Sequence, residues 1–242
     1  MKILLLGSNG MLGHMVKKYL EQFYQIETIN YRWSSQKFKT TIQNSEADFL
    51  INCIGAIPQR TKDFDINWEL PIWLDQNFQG KIIHPGTDCE IDNDAYGLSK
   101  AKATDWILSK GQKTKIIKTS IIGPELNGDS SLMDWFLSQK GEVYGYTKAM
   151  WNGITTLEWA KQCFSLINNW ENYPNLTIPY SDTVSKLELL NIIKEVYNKS
   201  DVKILPKDLG KNKVLKGTIK TKSIKSQILE LSKNDARRIY NI

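Results

Sequence analysis

Histidine and cysteine are scarce in this chain, with two histidines (His14 and His84) and three cysteines (Cys53, Cys89 and Cys163) among 242 residues. An odd number of widely separated cysteines, with no metal-ligand spacing, argues against a disulfide framework and a zinc site, and fits a reducing compartment. Two histidines argue against a histidine-based metal centre or a Ser-His-Asp triad. Long apolar runs are missing as well. No segment offers the roughly 18 uninterrupted apolar residues of a membrane span, so no membrane partner is expected. The apolar run Ile3 to Leu6 falls short of the ~7–15 residues of a signal-peptide core and leads straight into glycine, so the expectation is a cytoplasmic protein. Repeats and low-complexity segments are absent. Acidic residues are outnumbered, 26 against 32 basic ones, giving a net charge of +6. The basic excess gathers after residue 200, in Lys203, Lys207, Lys211, Lys213, Lys216, Lys220, Lys222 and Lys225. It reads either as a solvated face or as a field attracting an anionic, phosphate-bearing ligand. No nucleic-acid-binding motif accompanies it, so a nucleic-acid partner is not expected.

What is present is an alternation of strand and helix signals. Lys2–Leu6 is an apolar strand-like run, and Leu12, Met15, Val16, Tyr19 and Leu20 then recur at helical spacing. Strands are expected over Gln25–Tyr31, Asp48–Ile54, Lys81–His84 and Lys115–Ile122, and helices over Trp68–Gln76 and Tyr96–Ser109. Such alternation implies an α/β protein, a doubly wound parallel sheet of the Rossmann type with helices on both faces. After Gly123-Pro124 the pattern changes. Helices are expected over Ser131–Lys140, Thr156–Asn168 and Val184–Tyr197, with a final one over Ser223–Tyr240. The division read here is a first domain over residues 1–122 and a smaller, interleaved C-terminal substrate lobe over 123–242.

The loop Gly7-Ser8-Asn9-Gly10-Met11-Leu12-Gly13 follows the first strand and opens the first helix. A helix starting directly after a strand presents unpaired N–H groups and the positive end of its dipole, which suits a diphosphate. Gly7, Gly10 and Gly13 meet three needs: a sharp turn, close approach of phosphate, and tight packing of helix on strand. In that context the glycine pattern points to a dinucleotide cofactor. An acidic residue at the end of the second strand would hold a ribose 2′-hydroxyl; Asn30-Tyr31-Arg32 stands there instead. Arg32 can pair with a 2′-phosphate, which favours NADPH, with NADH as the alternative.

Tyr96-Gly97-Leu98-Ser99-Lys100 sets a tyrosine and a lysine four residues apart on one helix face. An ammonium beside a phenol is expected to lower the phenol pKa from about 10. A tyrosine so placed can protonate the oxygen of a ketone that receives a hydride. Thr87, in His84-Pro85-Gly86-Thr87-Asp88-Cys89, can hydrogen-bond the same oxygen.

Thr87, Tyr96 and Lys100 resemble the triad of the extended short-chain dehydrogenase/reductases. Five segments in this order narrow the likeness: Ile51-Asn52-Cys53-Ile54-Gly55, Thr87-Asp88-Cys89, Tyr96 to Lys100, Thr119 to Glu125 and Trp151-Asn152-Gly153. The series resembles the dTDP-4-dehydrorhamnose reductase-like nucleotide-sugar reductases over roughly residues 1 to 200. The resemblance implies reduction of the C4 ketone of a nucleotide-linked 6-deoxy-4-ketohexose, with dTDP or UDP as the expected nucleotide. It implies that Asn9, Met11, Leu12, Asn52 and Gly55 line the cofactor beside the three glycines. It also implies that the loop after Gly123 and the Trp151-Asn152 segment face the substrate, although lobe packing accounts equally for Trp151. A homodimer is compatible with the family and is not read from the sequence.

Two alternatives stay open. Some related enzymes epimerise the sugar before reducing it, and a cysteine two residues beyond the triad hydroxyl resembles one acid/base group. Cys89 has that spacing from Thr87, and Lys140, 44 residues beyond Tyr96, is the candidate partner. The other alternative is a non-catalytic dinucleotide-binding subunit. Its support is a departure from the family: only eight residues, Asp88 to Ala95, separate Thr87 from Tyr96, where a longer loop helps cover the substrate. Gly86 also stands where a serine is common.

Overall fold

A computed structural model of the protein describes residues 1–126 and 128–235. The chain forms two compact units, Met1–Lys118 with Ala160–Thr177, and Thr119–Trp159 with Ile178 onward.

The first unit is built on β1 (Lys2–Leu6), β2 (Gln25–Thr28), β3 (Phe49–Asn52), β4 (Lys81–Gly86) and β5 (Thr114–Lys118), joined by the short strand Leu176–Thr177. The six form one parallel sheet in the order Leu176–Thr177, β5, β4, β3, β1, β2. Helices α1 (Met11–Leu20), α2 (Gln36–Gln43), α3 (Ile66–Asn77) and α4 (Ala95–Lys110) connect the strands. This is the expected Rossmann-type arrangement. The strand order reverses between β1 and β3, and a crevice opens at the carboxyl ends of strands at such a switch point.

The elements follow from local chemistry. β1 from Ile3 to Leu6 and β3 from Phe49 to Ile51 are continuous apolar runs without alternation, as in parallel strands buried on both faces. α1 turns Leu12, Met15, Val16 and Leu20 inward. α2 begins at Ser35, whose Oγ accepts the Phe38 N–H at 3.2 Å, and it buries only Phe38 and Ile42. Two apolar residues in an otherwise polar helix left it invisible to periodicity. One sheet face packs Leu4, Leu6, Leu50 and Ile82 against Phe38, Ile42, Leu70, Leu74 and Phe78. Each such side chain contributes about 1.5–3 kcal/mol on burial.

The second unit carries α5 (Leu132–Ser138), the first turn of α6 (Thr156–Asn168), α7 (Lys186–Val196) and α8 (Ile224–Asn234). Its sheets are two-stranded. Gly141–Tyr146 pairs in parallel with Val202–Lys207, and Met150–Trp151 antiparallel with Val184–Ser185. α7 starts with a capping box, Ser185 and Glu188 each bonding the other's backbone N–H. The final helix expected over Ser223–Tyr240 is present as Ile224–Asn234, and residues 236–242 lie outside the described residues.

Three expected boundaries move. The single strand expected over Lys115–Ile122 is two. β5 pairs with β4 and Leu176–Thr177, whereas Ile121–Ile122 pairs with Ile154–Thr155 in the second unit. An apolar run cannot report that its partner changes midway. β2 stops at Thr28 because β1 offers partners only from Lys2 to Leu5 on that side. The helix expected from Val184 begins at Lys186, because Val184–Ser185 is a strand. Among the described residues no helix is long and apolar enough to cross a membrane.

Asp75, near the end of α3 and 5% exposed, ties this helix to the start of β5. Its carboxylate accepts the Gln112 and Lys113 N–H groups, both at 3.1 Å, and the Thr114 hydroxyl at 2.7 Å. Asp75→Ala strands these donors and is expected to lower unfolding free energy by about 2–4 kcal/mol. Urea denaturation measures it, and a loss near zero would show that solvent replaces the carboxylate.

Candidate active site

The glycine loop takes the expected form, and the three glycines turn out to serve different ends. Gly7 has φ +72°, and a Cβ there would meet the carbonyl of Cys53 at 2.7 Å. A Cβ on Gly13 would lie 2.1 Å from the Gly7 carbonyl oxygen. Both are demanded by the chain's own packing. Gly10 is different: it is the N-cap of α1 in extended conformation, and the nearest atom to a Cβ there is the Gly7 oxygen at 3.4 Å, an ordinary contact. The chain has room for a side chain at Gly10 and carries none. Among the described residues no side chain caps α1 and no acidic residue sits in its first turn, which leaves the amides of that turn open to an acceptor from outside the chain. Asn9 is exposed, Met11 half-buried and Leu12 buried. These observations fit a diphosphate at the start of α1.

β3 delivers Asn52 and Gly55 to the same end of the sheet. Asn52 is fully buried, its Oδ1 accepting the Ile54 N–H at 3.0 Å and its Nδ2 lying 3.2 Å from Nδ1 of His84. Gly55 is exposed, and Asn67 fixes the segment beside it. The Asn67 amide accepts the Ala56 N–H at 2.7 Å and donates to the Ala56 carbonyl at 3.0 Å and to Ser99 Oγ at 3.1 Å. Arg32 is exposed, four residues beyond the end of β2.

β4 ends at Gly86, and Thr87 caps a 3-10 turn over Asp88–Ile91. The eight-residue connection is thus structured. Glu90 closes a capping box by accepting the Thr87 N–H at 2.8 Å, and its nearly buried carboxylate pairs with Lys118 at 2.8 Å. A Cβ on Gly86 would come within 2.9 Å of both Glu90 Oε1 and Lys118 Cβ, which accounts for glycine where a serine is common. The tight return also explains Gly97, whose Cβ would lie 2.3 Å from the Cys89 carbonyl oxygen. The Thr87 hydroxyl donates to Asp88 at 3.0 Å and accepts the Cys89 N–H at 3.3 Å, while the Cys89 thiol reaches Asp88 at 3.7 Å.

Asp94 caps α4 by accepting the Gly97 N–H at 2.7 Å, and the first turns of α4 carry Tyr96 and Lys100. Tyr96 packs edge-on against Phe64, with ring centroids 5.7 Å apart, and is hydrogen-bonded to Thr87. The expectation that Lys100 lowers the Tyr96 pKa is corrected. Burial pushes the phenol up to about 12, helped by the charges of Cys89, Asp88 and Glu90, while the Thr87 hydrogen bond pulls the other way. Lys100 is absent from these influences because its nitrogen is drawn to β4. It donates to the Pro85 carbonyl at 2.8 Å and stands 3.5 Å from Nε2 of His84. Burial lowers Lys100 to about 8, with Glu90 acting to raise it. His84 is held well below its usual value by burial and by the charge of Lys100, so it is neutral.

Three further expected residues lie in the second unit. Trp151 is half-buried in its short strand. Asn152 had been expected to face the substrate, but both polar ends of its amide are engaged by the backbone of Leu215, each at 2.9 Å, and the residue is 4% exposed. It pins the chain instead. Lys140 is exposed, and its charge acts on Asp201.

The sequence reading missed His84, Glu90 and Asn67. His84 was legible: a lone polar residue following Ile82-Ile83 in an apolar strand needs a buried partner. Glu90 also had a signal, since Thr87-x-x-Glu90 is a capping-box spacing. Asn67 had none.

No family model and no curated protein matches the chain. Solved structures do. The fold is that of a dTDP-4-dehydrorhamnose reductase from Bacillus anthracis in complex with NADP (TM-score 0.74, 15% identity, covering 97% of this chain and 99% of that one). It is also similar to a dTDP-glucose 4,6-dehydratase from the same organism in complex with NAD (TM-score 0.74, 12% identity, 96% and 95% covered). A UDP-glucose 4-epimerase from Thermotoga maritima with UDP-glucose is a third (TM-score 0.72, 13% identity, 97% and 99% covered). At these identities the likeness establishes the fold.

The depressed Lys100 pKa has a stability consequence. Between about 8 and the ordinary 10.5, the unfolded chain still binds the proton that the folded chain has released. Raising the pH through that window therefore favours the folded state, by about 3 kcal/mol relative to a chain lacking the amine. Unfolding free energies of the wild type and Lys100→Met should converge or cross as pH rises, and a constant difference would contradict the buried amine.

Proposed function

We propose that the protein is an NAD(P)H-dependent reductase of a nucleotide-linked 4-keto-6-deoxyhexose, with NADPH preferred. The observation that carries this reading is the gathering of Thr87, Tyr96 and Lys100 at the ends of β4 and α4, on the same sheet end as the uncapped start of α1. The names of the solved structures support the substrate class, since all three act on nucleotide sugars. Arg32, exposed four residues beyond the end of β2, supports NADPH.

The dinucleotide supplies a hydride to the ketone carbon when bound. The chain's own residues hold and move the proton. Thr87 turns its hydroxyl from Asp88 to the ketone oxygen and polarises it. Tyr96 remains protonated at neutral pH because its pKa is pushed up to about 12, so it is an acid in reserve. A forming alkoxide is a stronger base than the phenolate and takes that proton. Asn52 and Asn67 keep the β3 loop in place. Tyr96→Phe should abolish NADPH oxidation with a panel of dTDP-, UDP- and GDP-linked 4-ketosugars while preserving NADPH binding. Full activity in that variant would defeat the mechanism, and no oxidation of NADPH by the wild type with any of them would favour a binding subunit.

A second activity, epimerisation before reduction, is favoured by Cys89, whose thiol donates to the same Asp88 oxygen as the Thr87 hydroxyl. A thiol there can exchange a proton with the carbon beside the ketone. Cys89→Ser should then stop solvent deuterium from entering that carbon; uptake of equal size in both proteins would dismiss the activity.

A further inference from the structure

The net charge of +6 is not spread along the chain. Residues 203–222 hold seven lysines and one aspartate, which amounts to all of it; the remainder is neutral, with 25 basic and 25 acidic residues. This stretch belongs to the second unit, and beyond Lys207 it runs as a strap with little regular structure until α8. Its backbone fixes it in place. The Lys213 N–H donates to the Met150 carbonyl at 2.9 Å, and the Asn152 amide engages Leu215. The Thr218 and Thr221 N–H groups donate to the Ile178 and Tyr180 carbonyls, both at 2.8 Å. A Cβ on Gly217 would lie 1.9 Å from the Tyr180 ring, so the chain rests directly on that ring.

The side chains are sorted by this anchoring. From Lys213 to Lys222 half-buried and exposed residues alternate, with Leu215, Gly217, Ile219 and Thr221 half-buried and Val214, Lys216, Lys220 and Lys222 exposed. Carboxylates stand nearby, but each has a partner: Asp208 pairs with Lys148 at 2.7 Å, Glu142 with Lys203 at 3.0 Å and Glu230 with Lys222 at 3.9 Å. Lys216 and Lys220 pair with no carboxylate among the described residues. Apolar side chains are exposed among the lysines. Gly210, at φ +125°, runs so close to Ala149 that a Cβ would lie 2.4 Å from its nitrogen, and Leu209 before it is left 50% exposed. Val214 is 38% exposed.

We propose that this strap is a docking surface for an anionic phospholipid membrane, its exposed lysines meeting the headgroups while Leu209 and Val214 enter the interface. Protein interfaces favour arginine and are depleted in lysine, and the strap contains no arginine. Lysine is a strongly hydrated point charge without a fixed geometry, which suits the diffuse negative potential of a lipid surface. Single-stranded nucleic acid stacks on aromatic side chains, and the strap has none. A small phosphate-bearing ligand makes no use of exposed Leu209 and Val214, whereas interfacial binding draws on apolar area and charge together. Adhesion needs no spanning segment, so the lack of a crossing helix among the described residues bears only on insertion. It is also independent of whether a ketosugar is reduced.

Co-sedimentation of the full chain with vesicles tests this. The protein should partition onto phosphatidylcholine vesicles containing phosphatidylglycerol and not onto phosphatidylcholine alone, and added sodium chloride should release it. Lys216→Gln with Lys220→Gln should weaken partitioning about thirtyfold, about fivefold for each lysine. Lys17→Gln with Lys110→Gln removes the same charge from exposed sites in the first unit and should have little effect. Leu209→Ser should weaken partitioning by about fivefold. Sodium phosphate should release no more protein than chloride of equal ionic strength. No partitioning onto the anionic vesicles, equal partitioning onto neutral ones, or an equal loss in the two lysine pairs would overturn the proposal. Displacement by phosphate would reassign the lysines to a small anion. Affinity for soluble polyglutamate equal to that for the vesicles, with no effect of Leu209→Ser on either, would reassign them to an acidic protein; either result contradicts a membrane.

Discussion

The contact on which the first unit depends is between the Gly7 carbonyl and the first turn of α1. That oxygen accepts the Gly10 N–H at 3.0 Å and occupies the space a side chain on Gly13 would need. The helix therefore starts after only the tight turn Gly7 to Gly10 and packs closely on the strand end. Because α1 begins there, its unpaired amides lie at the switch point between β1 and β3. Because the sheet is parallel, β3 and β4 deliver Asn52 and Thr87 to the same end. One backbone contact thus fixes where every later side chain of the site arrives.

A second constraint comes from the short connection between β4 and α4. It is closed by Glu90, which caps the turn, pairs with Lys118 and influences both Lys100 and Tyr96. Glycines at 86 and 97 give it room. The segment holds Thr87 within hydrogen-bonding reach of Tyr96.

The first five strands of the central sheet, helices α1, α3 and α4 and the glycine loop were legible because long apolar runs and glycine spacing report local geometry directly. The split of Lys115–Ile122 was not, because a change of pairing partner leaves no trace in an apolar run. Thr87, Tyr96 and Lys100 were found by spacing, yet spacing misjudged what Lys100 does. The Pro85 carbonyl and His84 compete for its nitrogen, and both come from a strand that sequence proximity does not connect to α4. Asn152 shows the same limit: an amide that reads as a ligand contact is engaged by Leu215, 63 residues away.

The central claim is that α1 begins where it does in order to hold a dinucleotide, and Gly10 separates that purpose from folding. An aspartate fits the Gly10 backbone, has space, and as an N-cap should stabilise α1 by a few tenths of a kcal/mol. It would also set a carboxylate where the diphosphate is to lie, which should weaken binding by more than about tenfold. Calorimetric titration with NADPH, alongside thermal unfolding, reads both effects. The account predicts saturable one-to-one binding by the wild type and loss of binding in Gly10→Asp, with the melting temperature unchanged or higher. Equal binding by the two proteins, or no binding by the wild type, would contradict it.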